Sequence, residues 1–236
     1  MRSRSAPERP RAGLAAAAAA GLLASLAGAE AALGAEHLLP RPQTGASGSV
    51  ERALAARRSV RAFRSGPISL AQAGQLLWAA QGLTGAQGRR AAPSAGALYP
   101  LRLYLAAGAV EGLAPGLYRY EPQSHALALT SAGDARRALA AASGQAWIAG
   151  APAVVLFAAD PRRTAGRYGA RADRFVQIEA GAAAENLSLQ AVALGLGSTF
   201  VGAFDEAALQ RSVALAPGER PVLLLPLGRP ATDPGR

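Results

Sequence analysis

Three guanidiniums and a hydroxyl fall within five residues at Arg57, Arg58, Ser59 and Arg61. That density suits bidentate, charge-assisted hydrogen bonds to a dianionic phosphate. Taken alone, such a cluster reads equally as a solvated helix end. A second stretch, Pro93-Ser94-Ala95-Gly96-Ala97-Leu98-Tyr99-Pro100, sets small residues between two prolines. Its backbone can approach a flat ligand closely while Ser94 bonds a polyol chain; its plain reading is a tight loop entering a strand. A third, Gly195 to Asp205, contains the Gly202-Ala203 step, which can present a bare backbone N–H to a ring nitrogen. It lacks the Lys-Ser/Thr of a Walker phosphate loop, and no Gly-rich turn follows the first strand of a βαβ unit. A fourth, Pro226-Leu227-Gly228-Arg229-Pro230, ends a strand on an Arg, which by itself is a surface residue.

Composition narrows what these groups can do. The chain has 236 residues, enough for one compact domain, and half of them are apolar. All 25 basic residues are Arg, and the net charge is +10. No long basic run interleaves with aromatics and no nucleic-acid motif occurs, so the charge reads as anion-binding pockets on a solubilising surface, with no nucleic acid partner. Cys is absent and the only His residues are His37 and His125. Thiol nucleophiles, disulfides and zinc-thiolate sites are thereby excluded, and no metal site is expected.

The N-terminus is set apart from the fold. Arg2, Arg4, Arg9 and Arg11 precede an uncharged stretch over 12–29 that closes on Ala27-Gly28-Ala29. Charged head, apolar middle and small-residue exit predict a secretory signal at residues 1–29, and so a periplasmic or secreted protein with no membrane span after cleavage. An unprocessed N-terminus would leave it cytoplasmic. Arg2-Ser3-Arg4 and Arg9-Pro10-Arg11 are not a twin-arginine signal, so any cofactor would be loaded after export. Residues 30–48 read as a linker or N-terminal arm, and 231–236 as a C-terminal tail.

The elements that must position the chemistry follow from periodicity. Helices are predicted over 49–56, over 68–81 with Ser69 as cap and Gly82 as stop, from Asp134 to about Ser143, over 171–194 and over 205–210. Ile178, Ala182, Leu189 and Val192 are expected on the buried side of the long helix, with Glu179 and Asn186 as interior polar contacts. Strands are predicted over 101–107, 116–120, 125–130, 153–159, 198–203 and 222–227, the second and third joined as a hairpin. Without a regular βαβ rhythm, the expected class is α+β.

Together, the order and spacing of RRSVRAF, LLWAAQGLT, PSAGALYPL, GLYRYEPQSHAL, RYGARADRF, ENLSLQAVALGLG, VGAFDE and PLGRP resemble the nitroreductase-like flavoproteins, in particular the thiazole/oxazole-forming dehydrogenase (SagB-like) branch. The resemblance spans residues 49–230. It implies a mostly antiparallel sheet flanked by helices and a flavin mononucleotide (FMN) held at a homodimer interface. It implies that Arg57, Arg58, Ser59 and Arg61, helped by Gly228 and Arg229, hold the phosphate and ribityl oxygens. Pro93, Ser94 and Gly96 would lie along the flavin from the partner subunit, and Gly202 and Ala203 would offer a backbone N–H near flavin N5.

The implied activity is hydride transfer through N5 between a reduced donor such as NAD(P)H and a small organic substrate. Azoline-oxidising relatives carry Lys-Tyr where this chain has Arg167-Tyr168. Arg cannot serve as a base near neutrality, whereas Tyr168 remains a candidate proton donor. An azoline-to-azole peptide dehydrogenase working with partner proteins, or a non-catalytic exported flavin-binding protein, are the alternatives.

Overall fold

In the computed structural model, residues 33–45 and 48–232 are described. The predicted signal over 1–29 and the tail from 233 onward lie outside them. Seven strands form one sheet: β1 (Glu36–Leu38), β2 (Leu101–Ala107), β3 (Gly116–Glu121), β4 (Ala126–Ala132), β5 (Ala153–Ala159), β6 (Gly197–Ser198) and β7 (Arg220–Gly228). Their order is β1-β4-β3-β2-β5-β7-β6 with every pairing antiparallel. Six helices cover it: α1 (Val50–Ala56), α2 (Leu70–Gln81), α3 (Arg136–Ser143), α4 (Arg162–Tyr168), α5 (Ala172–Ala193) and α6 (Glu206–Ser212). The class is α+β, as expected.

Strand alternation divides the core into two layers. Leu101, Leu103 and Leu105 of β2, with Val155 and Phe157 of β5, pack beneath α2 and α5. Tyr104 and Ala106, with Val154 and Leu156, pack on the other face against α3 and α6. Covering on both faces is why β5 is an uninterrupted apolar run rather than an alternating one.

Local chemistry sets the helix ends. Ser69 caps α2 through a reciprocal capping box with Gln72, and Gly82 follows its last residue. Asp205 caps α6 by accepting from the Ala208 N–H. Asp134 stands one residue outside α3, where its carboxylate accepts from the Arg136 backbone and guanidinium instead of capping the helix.

Further expectations change: the strand predicted over 198–203 is only Gly197–Ser198, with Val201 in an isolated bridge to Leu224, and Arg162–Tyr168, given no element from the sequence, is helical. Part of the predicted arm is structured, because Glu36–Leu38 pairs with β4 as an edge strand. The buried side of α5 is the opposite one: Val176, Ala180, Ala183, Ala184, Leu187 and Ala191 face the core, whereas Ile178 is 58% exposed. Small residues let the helix sit close to α2 and the sheet, and so decide which stripe turns inward.

Candidate functional site

Backbone pairing gathers three of the four motifs. The segment after α1 runs beside the sheet edge: the Val60 N–H donates to Ser198 O at 3.0 Å, the Arg64 N–H to Arg229 O at 2.8 Å, and the Ala231 N–H to Ala62 O at 2.9 Å. Arg64 Nε also donates to Pro230 O at 2.9 Å. Residues nearly 170 positions apart are thus held side by side.

Close approach depends on two glycines. A Cβ on Gly228 would stand 2.8 Å from Phe63 Cδ1 and 2.7 Å from Pro152 Cδ, and one on Gly197 would overlap Val60. The result is a pair of adjoining cavities sharing Arg58, Val60, Pro230 and Thr232. One, of about 350 Å³, adds Arg64, Gly197 and Arg229. The other, of about 400 Å³, adds Ser59 and Arg61.

The guanidiniums are not equivalent. Arg58 Nη1 donates to Ala55 O and Arg57 O at 2.9 and 2.8 Å, placing a cation at the C-terminal end of α1. Arg57 turns toward α5 and pairs with Glu185 at 3.5 Å; it lines neither cavity. Arg64 and Thr232, which the sequence reading left without roles, do line them. An extended Arg61–Arg64 segment held on both sides by the chain end was the arrangement that would have revealed Arg64, and it depends on a long-range pairing.

The Pro93–Pro100 stretch is a strained loop elsewhere on the surface of α5. Gly96, Ala97 and Tyr99 all have positive φ, of 62°, 54° and 47°. Ser94 Oγ fixes the turn by accepting the Tyr99 N–H at 2.9 Å. A Cβ on Gly96 would lie 2.8 Å from Arg167 Nη1 and 3.1 Å from the Tyr168 hydroxyl, so the loop rests directly on the Arg167-Tyr168 pair. Tyr168 stacks obliquely on Phe175 at 4.6 Å.

Beneath this loop lies Glu179, 3% exposed, with Oε1 unpartnered among the described residues. Burial pushes its carboxyl up to about 7, against the opposing pull of Ser94 and Arg90. Asn186, two turns along the same helix face, donates to Ala91 O at 3.3 Å. Both were expected as interior polar contacts; Glu179 lies under the loop, and Asn186 holds the segment just before it.

Gly202 and Ala203 are exposed beyond the bridge between Val201 and Leu224. Neither cavity at Arg58 includes them or any residue of the Pro93–Pro100 loop. Within this chain the structure therefore gathers the guanidinium, Gly197 and Arg229 elements and leaves the serine–glycine loop and the Gly202-Ala203 step apart from them.

An antiparallel sheet with a long helix packed across one face and arginine-lined cavities at its edge is the arrangement of a known class of protein. The model of the nitroreductase family matches residues 54–229. A relative from Methanocaldococcus jannaschii that bears the nitroreductase name is 40% identical over 181 residues, covering 76% of this chain and 90% of the relative. A crystal structure from Ralstonia eutropha, described as a nitroreductase, is 32% identical with a TM-score of 0.75, covering 84% of this chain and 90% of that one. The chain belongs to the nitroreductase family. The Escherichia coli microcin synthetase complex, solved with a truncated precursor bound, shares the fold at 20% identity and a TM-score of 0.64, covering 83% of this chain and 79% of that one. An NADPH:FMN oxidoreductase from Vibrio harveyi does so at 20% identity and a TM-score of 0.56, covering 78% of this chain and 70% of that one.

Proposed function

We propose that this protein is an FMN-dependent oxidoreductase that passes a hydride between a reduced nicotinamide donor and a small organic substrate. The observation that carries the reading is the cradle itself. Arg58, Ser59, Arg61, Arg64, Arg229 and Thr232 converge on adjoining cavities although the chain separates them by more than 160 positions. That donor set fits a phosphate monoester: several guanidinium N–H groups, two hydroxyls and no carboxylate in the lining. Bound there, FMN would supply reversible hydride chemistry at N5.

The chain's own residues would do the rest. Arg58, Ser59, Arg61 and Arg229 would neutralise and orient the phosphate. Arg57, already engaged by Glu185, would shape the wall beside it. Pro93, Ser94 and Gly96 belong to a stiff loop that would cover a flat ring in the neighbouring subunit, with Tyr168 behind it able to hold a proton for the substrate. Gly202 and Ala203 keep exposed, unhindered backbone for a hydrogen bond to the ring, since a Cβ on Gly202 would meet nothing within 4 Å. Division of these elements between two separated regions of one protomer supports a homodimer with shared sites. Exposed Val50, Leu54 and Ile178, on helices that pack together, supply apolar surface for it.

The peptide azoline reading draws support only from the shared fold of the microcin synthetase. Arg167, which cannot be tuned to act as a base, weighs against it. Export behind the signal over 1–29 is part of the proposal; among the described residues no helix is long and apolar enough to cross a membrane.

The test is a visible spectrum of the purified protein with and without added FMN, followed by anaerobic stopped-flow reduction with NADH and NADPH. A flavin band that bleaches with either donor is expected. A colourless protein that refuses FMN would end the proposal, and a flavin that no donor reduces would leave a binding protein without turnover.

A further inference from the structure

A second group of arginines meets at the opposite end of α2 from its Ser69 cap. Arg90, Arg102 and Arg163 line a cavity of about 260 Å³ together with Gln81, Tyr120 and Glu121. None of them belongs to the cradle beside α1. What distinguishes the three is how they are held. Arg90 Nη1 donates to Gln81 Oε1 at 2.8 Å. Arg102 Nη1 donates to Leu101 O at 3.0 Å and Tyr99 O at 3.3 Å. Arg163 Nε donates to Leu98 O at 3.2 Å. These acceptors are neutral, so the guanidiniums are oriented without being neutralised, and each has N–H donors to spare.

The nearby carboxylates are largely committed. Glu121 is held by Arg119 at 2.5 Å. Glu219 accepts the Tyr104 hydroxyl at 2.6 Å and reaches Arg102 only at 3.9 Å. Glu179, also close to Arg90, is pushed toward its neutral form by burial. The mutual repulsion is felt by Arg90, whose pKa is lowered first by burial and then by Arg102. An independent sign comes from the cavity wall. Gln81 is 1% exposed, yet its Nε2 has no partner among the described residues, and neither does Arg90 Nε. A buried amide donor without an acceptor costs about 1–3 kcal/mol, and an oxyanion held by the neighbouring guanidiniums would supply one.

We infer that this cavity is a second anion site, which binds a compact oxyanion, the phosphate or carboxylate group of a small ligand, through Arg90, Arg102, Arg163 and the Gln81 amide. It is separate from the cradle at Arg58–Arg61, and Arg102 and Arg163 bond the Tyr99 and Leu98 carbonyls of the loop over Tyr168, so an occupant would brace that loop from behind.

The experiment is calorimetric titration of FMN-saturated protein with inorganic phosphate and, separately, with succinate, against sodium chloride of matched ionic strength. If no flavin is taken up, the protein as purified is titrated with the same variants, so failure of the flavin reading does not decide the result. Saturable binding is expected for one or both anions. Phosphate alone indicates a phosphorylated ligand, succinate alone a carboxylate, and both a general oxyanion site. Arg163→Gln, at an exposed position, should weaken binding about tenfold, the loss of one charge-assisted contact, with an unchanged thermal midpoint showing that the fold is kept. Arg61→Ala, titrated with enough added FMN to offset its weaker flavin binding, should leave anion binding at this cavity unchanged. Absence of saturable binding, or binding lost in Arg61→Ala and retained in Arg163→Gln, would overturn the inference.

Discussion

Phe63 lies against Gly228 so closely that a single added carbon would stand 2.8 Å from its ring. This contact locks the Arg-rich segment onto the end of β7, and the two cavities beside it exist only while it holds. Gly228→Ala should therefore strain both Phe63 and Pro152, costing about 1–3 kcal/mol as overpacked sites do. The expected outcome is a lower thermal midpoint together with weaker FMN retention. A variant as stable as the parent would show that the segment is held by other means.

Arg61 and Arg229 approach the cradle from opposite ends of the chain. Replacing either with Ala should weaken FMN binding about tenfold or more, since charge-assisted hydrogen bonds contribute about 1.5–3 kcal/mol each. Fluorescence of flavin released after gel filtration measures this. Undiminished occupancy in the double variant would remove both residues from the phosphate role.

Glu179 gives a signed pH dependence. Its folded pKa, about 7, lies above the ordinary 4.5. The folded state thus holds a proton that the unfolded state has already released, and stability falls as pH rises from 4.5 through 7 before levelling off. Glu179→Gln should remove this slope, with the parent losing about 3 kcal/mol relative to the variant across that window. Urea midpoints at pH 5 and pH 8 read the difference; parallel behaviour of the two proteins would place the carboxyl in a wetter setting.

Ile178 is 58% exposed on a helix whose other side is fully packed. Ile178→Glu should convert a dimer to monomer in light scattering and release flavin at the same time. A monomer that keeps its flavin would contradict a site shared between subunits.

Tyr168 touches the loop at Gly96 through its hydroxyl, so Tyr168→Phe leaves packing on Phe175 intact and removes only the proton. Turnover should fall with FMN occupancy unchanged. Equal turnover would assign the residue to packing.

Much of the fold was legible because its signals are local. The strands Leu101–Ala107 and Ala153–Ala159, and the capping of α2 by Ser69 and Gly82, follow from run length and cap chemistry. The facing of α5 was not legible, because both of its stripes are apolar. Hydropathy favoured Ile178, Leu189 and Val192, whereas close packing chose the alanines. Glu36–Leu38 carries no periodicity and forms a strand only because β4 offers it an edge. At the site, the motif order was readable. The pairing of Arg57 with Glu185, the role of Arg64 and the cluster at Arg90 depend on which distant segments meet, which a linear pattern does not encode.

That short N-terminal strand has one more bearing on the molecule. Its rungs to Ala126, Leu127 and Ala128 close off the outer border of β4. A version trimmed to the family-matched region, starting at residue 54, would leave that border's amides and carbonyls bare and ready to zip onto another copy. Guarding against self-association thus falls to residues upstream of the region that defines the family.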